Sequence, residues 1–246
     1  MFQSTKALVL REVRYKEADR ILTLLTDTDG KITAKARGAL RKSSRTGTAT
    51  QQLTWADMTL FGNRGKWTVN EASVIEGFDG LRTDLEAFAL GAYFAECLEA
   101  LSVEDQPDAE LLQLGLNSLY ALSHQLCAPE KIKAAFELRL MSLAGYEPDL
   151  TACAACGREP ERPLLSLQDG RVYCTACPHG GDTLPLCPDS LAAMRYILSA
   201  PAKKLFSFSI EGEAADRLSW AAEAFLLRQT ERRFGTLEYY KQVRIK

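Results

Sequence analysis

Histidine is scarce in this chain, and the residue patterns that accompany enzymatic chemistry are missing with it. The 246 residues include two histidines, His124 and His179. There is no HExxH helix, no GxxxxGK[ST] loop and no nucleophile paired with a base, which are the patterns of many hydrolases and nucleotide-dependent enzymes. The acidic residues are dispersed, so no carboxylate-rich metal cluster stands out either. We therefore predict that the protein is not an enzyme.

Long hydrophobic runs are also missing. No segment approaches the roughly 20 uninterrupted apolar residues of a membrane span. The first segment carries Lys6, Arg11 and Glu12 and has neither a secretory hydrophobic stretch nor a lipidation motif. We expect no membrane association and a cytoplasmic location. With 46% hydrophobic and 25% charged residues, the composition is that of an ordinary globular protein.

Negative charge is absent from one long stretch of the N-terminal part. No acidic residue occurs between Gly30 and Ala56, and residues 1–80 carry a net charge of +4 against −6 for the remainder. Such segregation favours a polyanionic partner for the N-terminal part. Alternation along a strand beginning at Lys31 would place its cations on one face, with more in the following loop. The predicted DNA-contacting residues are Lys31, Lys35, Arg37, Arg41, Lys42 and Arg45. A solvated basic strand without a ligand is the alternative.

Short β-rich runs separated by turn signals fill the first 76 residues. Asp29-Gly30 and Gly62-Asn63-Arg64-Gly65 have hairpin chemistry, and residues 43–50 form a polar loop that we expect to be mobile. Five strands in this length fit a small OB-type barrel or, equally well, a split sheet with no nucleic-acid role. The predicted strands cover residues 5–13, 20–27, 31–38, 53–62 and 66–76.

Beyond Gly80 the hydrophobic period becomes that of amphipathic helices. Thr83-Asp84-Leu85-Glu86 predicts a capping box, and a later helix should begin at Pro129 and stop at Gly145. Further helices are predicted at 108–126, 189–199 and 213–234, with a possible strand at 205–210.

The most specific local motif is a pair of Cys-x-x-Cys knuckles. Cys153 and Cys156 are followed, after 17 residues, by Cys174 and Cys177, and an Asp169-Gly170 turn lies in the spacer. This spacing is typical of a zinc ribbon with four sulfur ligands. Four thiolates leave no open position on the ion, so we predict one structural Zn²⁺ per chain. Four reduced cysteines without metal are the alternative.

Two further residues near the knuckles complicate the assignment. His179 or Cys187 could replace a ligand, although their spacing fits the double knuckle less well. Cys97 and Cys127 are predicted to be small buried hydrophobes. Four aromatic residues are interleaved with the basic region, at Tyr15, Trp55, Phe61 and Trp67. They could stack on bases, but we expect at least two of them to fill the barrel interior.

Several segments together resemble the RecO family of bacterial recombination mediators. The resemblance begins with Ala7-Leu-Val-Leu-Arg, Glu17-Ala-Asp-Arg-Ile-Leu and Gly30-Lys-Ile-Thr-Ala-Lys-Ala-Arg-Gly. It continues through Phe136-Glu-Leu-Arg-Leu and Leu143-Ala-Gly-Tyr-Glu-Pro into the first knuckle, so it spans nearly the whole chain. The segment from Arg232 to Tyr240 is similar to the family only loosely.

The resemblance implies an α+β protein with a five-stranded OB-fold barrel at 1–80 and an α-helical bundle domain at 81–246. A Cys₄ zinc-binding module at 148–188 would be inserted in the second domain. The implied function is DNA repair and recombination in the RecFOR pathway: binding single- and double-stranded DNA, annealing complementary strands, and loading RecA with RecR. The C-terminal tail of single-strand DNA-binding protein (SSB) is a further implied partner. The implied location is the cytoplasm, in association with the nucleoid. The alternative is a zinc-ribbon transcription or RNA-binding regulatory protein.

Overall fold

The computed structural model describes residues 1–63 and 65–244, and their backbone divides into two compact units. Unit 1 contains Met1–His124 and the C-terminal segment from Phe234, and unit 2 is Gln125–Arg233. The domain limits predicted from the sequence, 1–80, 81–246 and 148–188, are a different division and stay predictions. Within the described residues, no helix is long and apolar enough to cross a membrane.

Unit 1 opens with a closed five-stranded barrel. Its strands follow the order β1-β2-β3-β5-β4, all pairs being antiparallel except β3 with β5. This is the OB-fold, as predicted. The Asp29-Gly30 turn joins the second and third strands, and Asn63 pairs with Lys66 at the last hairpin, whose Arg64 lies outside the described residues. The strands are β1 (Phe2–Tyr15), β2 (Asp19–Thr26), β3 (Gly30–Ala36), β4 (Trp55–Asn63) and β5 (Lys66–Glu76).

The barrel interior is filled by small and medium aliphatic side chains. Alanines, leucines and Met58 form the buried core, and Trp67 packs against its edge. The prediction that at least two of the four aromatic residues fill the interior is wrong, because none of the four is fully buried. Three helices and a C-terminal fourth complete the unit.

Most helix boundaries follow the predicted signals, but one cap and one helix end differ. The N-cap of the second helix is Asp84, whose carboxylate accepts from the Glu86 and Ala87 amides, so the capping box on Thr83 is wrong. Thr83 instead donates to the Gly80 carbonyl. The predicted helix at 213–234 ends at Thr230, and a separate helix follows. The helices are α1 (Asp79–Arg82), α2 (Leu85–Leu101), α3 (Ala109–Ser123), α4 (Pro129–Leu143), α5 (Pro188–Ser199), α6 (Gly212–Thr230) and α7 (Gly235–Val243).

Unit 2 combines α4, α5 and α6 with a small three-stranded sheet. Its strands β6 (Pro163–Ser166), β7 (Val172–Cys174) and β8 (Thr183–Pro185) are ordered β7-β6-β8. The predicted Asp169-Gly170 hairpin joins β6 to β7, with Gly170 at φ 68°. The third strand was not predicted. The possible strand at 205–210 is wrong, since this segment is irregular and follows a 3₁₀ turn, Ala202–Lys204.

A buried ion cluster joins two helices of unit 2. The Lys133 ammonium of α4 lies 2.8 Å from carboxylate oxygens of Glu137 and of Glu223 on α6. Lys133 is 3% exposed and Glu137 is fully buried. Burial alone would lower the pKa of Lys133, but the two carboxylates raise it. Charges this deeply buried persist only with such close partners, and the cluster therefore ties α4 to α6.

Candidate nucleic-acid interface and metal centre

Strand β3 alternates between core and surface as its sequence predicts. Ile32, Ala34 and Ala36 are buried in the barrel, whereas Lys31, Thr33 and Lys35 lie on its outer face. Arg37 follows in the same alternation and is exposed. The period of two in the strand places these cations on one side of the barrel.

The lysine at the start of this row has a partner within the protein. The Lys31 ammonium donates to the Glu99 carbonyl at the end of α2 over 2.9 Å, and the Lys31 carbonyl accepts from the Asp105 amide. A Cβ on nearby Gly30 would lie 2.0 Å from the Gln106 carbonyl oxygen. The segment after α2 thus covers this end of the strand. The open part of the row begins at Thr33.

The next lysine of the row, Lys35, joins a small cluster at the tip of the β1–β2 hairpin. Its ammonium lies 2.8 Å from an Asp19 carboxylate oxygen and 4.8 Å from the centroid of the Tyr15 ring. The Lys35 ammonium and the Gly38 amide, which donate hydrogen bonds to this carboxylate, hold the pKa of Asp19 below its ordinary value. The cluster fixes the position of Lys35 without burying it.

The basic loop that follows β3 is tied to the start of β2 at both ends. The Gly38 amide donates to Asp19, and the Leu40 amide donates to the Ala18 carbonyl. At the far end, the Arg20 guanidinium donates to the Gly47 carbonyl over 2.7 Å and to Thr50 Oγ1 over 2.9 Å. The mobile loop expected over 43–50 is therefore anchored, because a buried arginine holds its second half. Sequence patterns gave no sign of this role for Arg20.

Four exposed cations lie on this loop or next to it. None of them has a carboxylate oxygen within 4 Å among residues 1–63 and 65–244. They lie on or next to a loop whose ends are fixed, and Arg45 lines a pocket with residues of β4 and β5 that include Asp57 and Glu71. The four cations are Arg37, Arg41, Lys42 and Arg45.

Removal of the Arg20 anchor should measurably destabilise the protein. We expect Arg20→Met to lower the unfolding free energy by about 1–3 kcal/mol, since the buried Thr50 hydroxyl and the half-buried Gly47 carbonyl lose their donor. Urea denaturation measures the change. The matched control is Arg14→Met, because Arg14 is the cross-strand neighbour of Arg20 but is exposed. Equal denaturation midpoints for the two variants would show that the anchor contributes nothing.

The four predicted cysteine ligands come together in unit 2. The sulfur atoms of Cys153, Cys156, Cys174 and Cys177 lie within 4.8 Å of one another. Cys153 and Cys156 form one tight turn, closed by the Gly157 amide donating to the Cys153 carbonyl, with Gly157 at φ 70°. The Cys177 amide donates to the Cys174 carbonyl in the second turn. Four close cysteines in this arrangement could hold a metal ion.

The sulfur positions fit a tetrahedral zinc ion in size and charge. Zinc–sulfur bonds of about 2.3 Å separate the sulfurs of a tetrahedron by about 3.8 Å, and Cys156 Sγ lies 3.9 Å from Cys174 Sγ. Burial raises the pKa of the Cys153 thiol, but amide donors, chiefly Cys174, outweigh it and lower this pKa to about 6. Burial and the neighbouring thiolates raise the pKa of Cys174 to about 12. The four thiolates therefore need a cation to coexist.

The other candidate ligands lie outside this cluster. His179 approaches the Tyr173 ring and has its Nδ1 3.2 Å from the Gly180 carbonyl oxygen. Cys187 caps α5, where its amide donates to Ser190 Oγ. Cys97 is buried as predicted, whereas Cys127 is only half-buried. The cluster consists of the four cysteines of the two knuckles, and it includes neither His179 nor Cys187.

Unit 2 also has a groove of about 550 Å³ between α5, α6 and the segment before α6. Tyr196 and Phe208 lie in it with ring centroids 5.7 Å apart, beside Ala193 and Ile210. The Lys131 ammonium donates to the Phe208 carbonyl and lies 4.6 Å from the Phe208 ring centroid. The charged residues that line the groove, Asp189 and Glu211, are both acidic.

Comparison with known proteins covers both parts of the chain. A family model described as "Recombination protein O N terminal" matches residues 1–78, and "Recombination protein O C terminal" matches residues 82–238. The chain is 33% identical to the DNA repair protein RecO of Acetivibrio thermocellus, over 98% of this chain and 96% of that protein. It is 33% identical to RecO of Symbiobacterium thermophilum over 96% of both chains. With RecO of Alkaliphilus metalliredigens the identity is 29%, over 99% of this chain and all of that protein.

Proposed function

The chain belongs to the RecO family, and we propose that it is a DNA-binding recombination mediator in DNA repair. It binds single- and double-stranded DNA through unit 1 and anneals complementary strands. With RecR, it promotes the loading of RecA on single strands that SSB covers. None of these steps makes or breaks a covalent bond, which agrees with the absence of catalytic motifs from the sequence.

The observation that carries the proposal is the tethered basic loop on an OB-fold barrel. The contacts that fix this loop also hold its cations at the barrel surface. These cations are Lys35, Arg37, Arg41, Lys42 and Arg45. Contacts from lysine and arginine to phosphates give affinity without reading sequence, as annealing of arbitrary strands requires. Lys31 adds positive potential at the covered end of the row, and its own ammonium stays on the Glu99 carbonyl.

Partner binding is assigned to unit 2. The tail of SSB is acidic with a hydrophobic end, and the groove beside Tyr196 and Phe208 offers apolar walls to such a segment. Lys131 contacts Phe208 of the groove, and the Tyr196 hydroxyl donates to the carbonyl of exposed Lys204, so two lysines lie close to these walls. Arg195 and Arg228 are less suited to bind the tail, because they lie near Glu159 and Asp182 respectively. RecR is the second protein partner.

Zinc is proposed as a structural ion held by Cys153, Cys156, Cys174 and Cys177. A zinc ion bound by four thiolates supplies folding free energy and has no open position for a substrate. The regulatory alternative, a zinc-ribbon transcription or RNA-binding protein, loses its main support. The family match includes the barrel as well as the cysteine segment.

Reversal of two cations should separate DNA binding from the rest of the function. We expect Lys35→Glu/Arg37→Glu to weaken binding of all DNA sequences alike and to slow annealing of SSB-covered strands. Two lost phosphate contacts should reduce the slope of log K against log salt by about 1.8 for duplex and about 1.4 for single strands. Fluorescence anisotropy at several salt concentrations gives the slope, and a strand-annealing assay gives the activity.

The control for this experiment is Arg232→Glu/Arg233→Glu, which changes the charge equally at two exposed arginines outside the basic loop. This variant should keep the wild-type salt slope. If the two double variants bind DNA equally well, the DNA surface lies elsewhere. If the wild-type protein neither binds nor anneals DNA, the proposed function itself is refuted.

A further inference from the structure

Tyr15 occupies an unusual position at the end of the first strand. Strand β1 pairs with β4 from Phe2 to Leu8 only, while its pairing with β2 continues to the Tyr15–Asp19 pair. The β1–β2 hairpin thus extends past its β4 neighbour, and Tyr15 is the last residue of its first strand. The tyrosine is 43% exposed. A large ring with this exposure at a hairpin tip contributes little to the barrel core.

Two lysines lie beside this ring, and one of them, Lys35, belongs to the proposed DNA surface. The ammonium groups of Lys35 and Lys16 lie 4.8 Å and 5.6 Å from the ring centroid. Asp19 holds Lys35 at 2.8 Å, so the lysine is fixed beside the ring. A nucleotide whose base stacked on Tyr15 would place its phosphate near these two ammonium groups, of which Lys16 has no carboxylate oxygen within 4 Å among the described residues. Aromatic rings next to cations are the arrangement by which proteins bind unpaired nucleic acid.

The other aromatic residues of the barrel are less suited to stack on bases. Trp67 packs against the barrel core, and a Cβ on Gly62 would lie only 2.8 Å from its ring. Phe61 is the cross-strand partner of Phe2, and their ring centroids are 5.1 Å apart. Trp55 is half-buried. Of the four rings that the sequence suggests, Tyr15 is the one that combines exposure with a cation over its ring among residues 1–63 and 65–244.

We infer that Tyr15 is a base-stacking residue that makes the barrel prefer unpaired DNA to duplex. This inference rests on the proposed DNA-binding function and adds a preference to it. Bases in a duplex stack on one another, so a protein ring at the surface gains a stacking partner only from an unpaired strand. The phosphate contacts of the basic loop stabilise complexes with both single-stranded and duplex DNA, whereas stacking on Tyr15 stabilises only the complex with single-stranded DNA.

The test compares Tyr15→Ala with the wild-type protein on a mixed-sequence single strand and on its duplex of equal length. Loss of one stacked base should weaken single-strand binding by about 5- to 150-fold, the equivalent of about 1–3 kcal/mol. Duplex affinity and the salt slope should stay unchanged, because no phosphate contact is removed. Tyr15→Phe, which keeps the ring, should bind single strands more tightly than Tyr15→Ala.

Tyr239→Ala is the matched control, since Tyr239 is 47% exposed on α7 of the same unit. Equal losses on single strands and duplex in Tyr15→Ala would overturn the inference, as would wild-type affinity for both. The proposed function is tested separately: it survives either result if Lys35→Glu/Arg37→Glu still weakens binding, and it fails if the wild-type protein binds neither DNA. Thermal melting of each variant establishes that unit 1 remains folded.

Discussion

A Cys153→Ser protein is expected to be purified without zinc and to unfold at a temperature lower than the wild type by about 10 °C or more. The free energy of structural zinc binding is about 10–16 kcal/mol in small zinc modules, and losing even a third of it would produce such a shift. Cys153 is 2% exposed, and the Cys174 amide donates to its sulfur. Replacing this thiolate therefore removes the most buried ligand of the cluster.

Destabilisation should spread from the cluster into unit 2. The Ala154 amide donates to the Val172 carbonyl, and the Arg195 guanidinium of α5 donates to the carbonyls of Leu150 and Thr151 and pairs with Glu159. The first knuckle thus lies between the small sheet and a helix. DNA affinity of whatever protein stays folded should change little, because the basic loop belongs to unit 1.

Elemental analysis and calorimetry check this expectation with two further variants. Cys156→Ser removes a ligand whose side chain is exposed, so zinc loss from it cannot be ascribed to a disturbed core. Cys127→Ser makes the same chemical change at a half-buried cysteine outside the cluster and should keep one zinc per chain. A wild-type protein purified without chelator and free of zinc would contradict the proposal, as would a fully loaded Cys153→Ser protein.

Local signals account for the parts of the structure that the sequence predicts well. The cysteine spacing brings two ligands together within each tight turn, and the Asp169-Gly170 turn brings the two knuckles together. Alternation in β3 likewise fixes which side chains leave the barrel. Each of these features depends on residues close in sequence, where geometry follows directly from spacing.

Features that depend on distant residues were not predictable in the same way. The sequence predicts that Lys31 contacts DNA together with its neighbours, but its ammonium donates to a carbonyl 68 positions away. Arg20 holds the loop across 27 and 30 positions. The buried Lys133 resembles any surface lysine in the sequence until Glu223 of another helix is placed beside it. These roles depend on contacts between residues that are distant in sequence, and the local patterns of a single sequence do not predict such contacts.

The barrel of residues 1–80, predicted from the sequence as a domain, is expected not to fold by itself. Leu8 and Leu25 are cross-strand neighbours and fully buried, yet neither belongs to the barrel core. A Cβ on Gly115 of α3 would lie 3.5 Å from Leu8 Cδ2, and one on Gly91 of α2 would lie 3.0 Å from Leu53 Cδ1. The helices after residue 80 therefore cover leucines of the barrel.

Exposure of these three leucines would remove most of the stability of a small domain. Burial of one leucine side chain is worth about 1.5–3 kcal/mol, so the three together contribute about 5–9 kcal/mol, against about 5–15 kcal/mol for a typical domain. The covering helices are themselves held by the end of the chain. Glu96 of α2 accepts from the amide and the hydroxyl of Thr236 at the start of α7, and Tyr93 packs edge-on against Phe234.

Two shortened proteins test this expectation. Residues 1–80 should be insoluble or lack a cooperative thermal transition, whereas residues 1–124, joined by a Gly/Ser linker to the segment from Phe234, should melt cooperatively. The joined protein contains the basic loop and Tyr15, so it should bind DNA with the wild-type salt slope. It lacks the groove of unit 2, and an SSB tail peptide should therefore not bind to it. A cooperative melt for residues 1–80 would show that the barrel needs no helical cover, and tail binding by the joined protein would place that partner on unit 1.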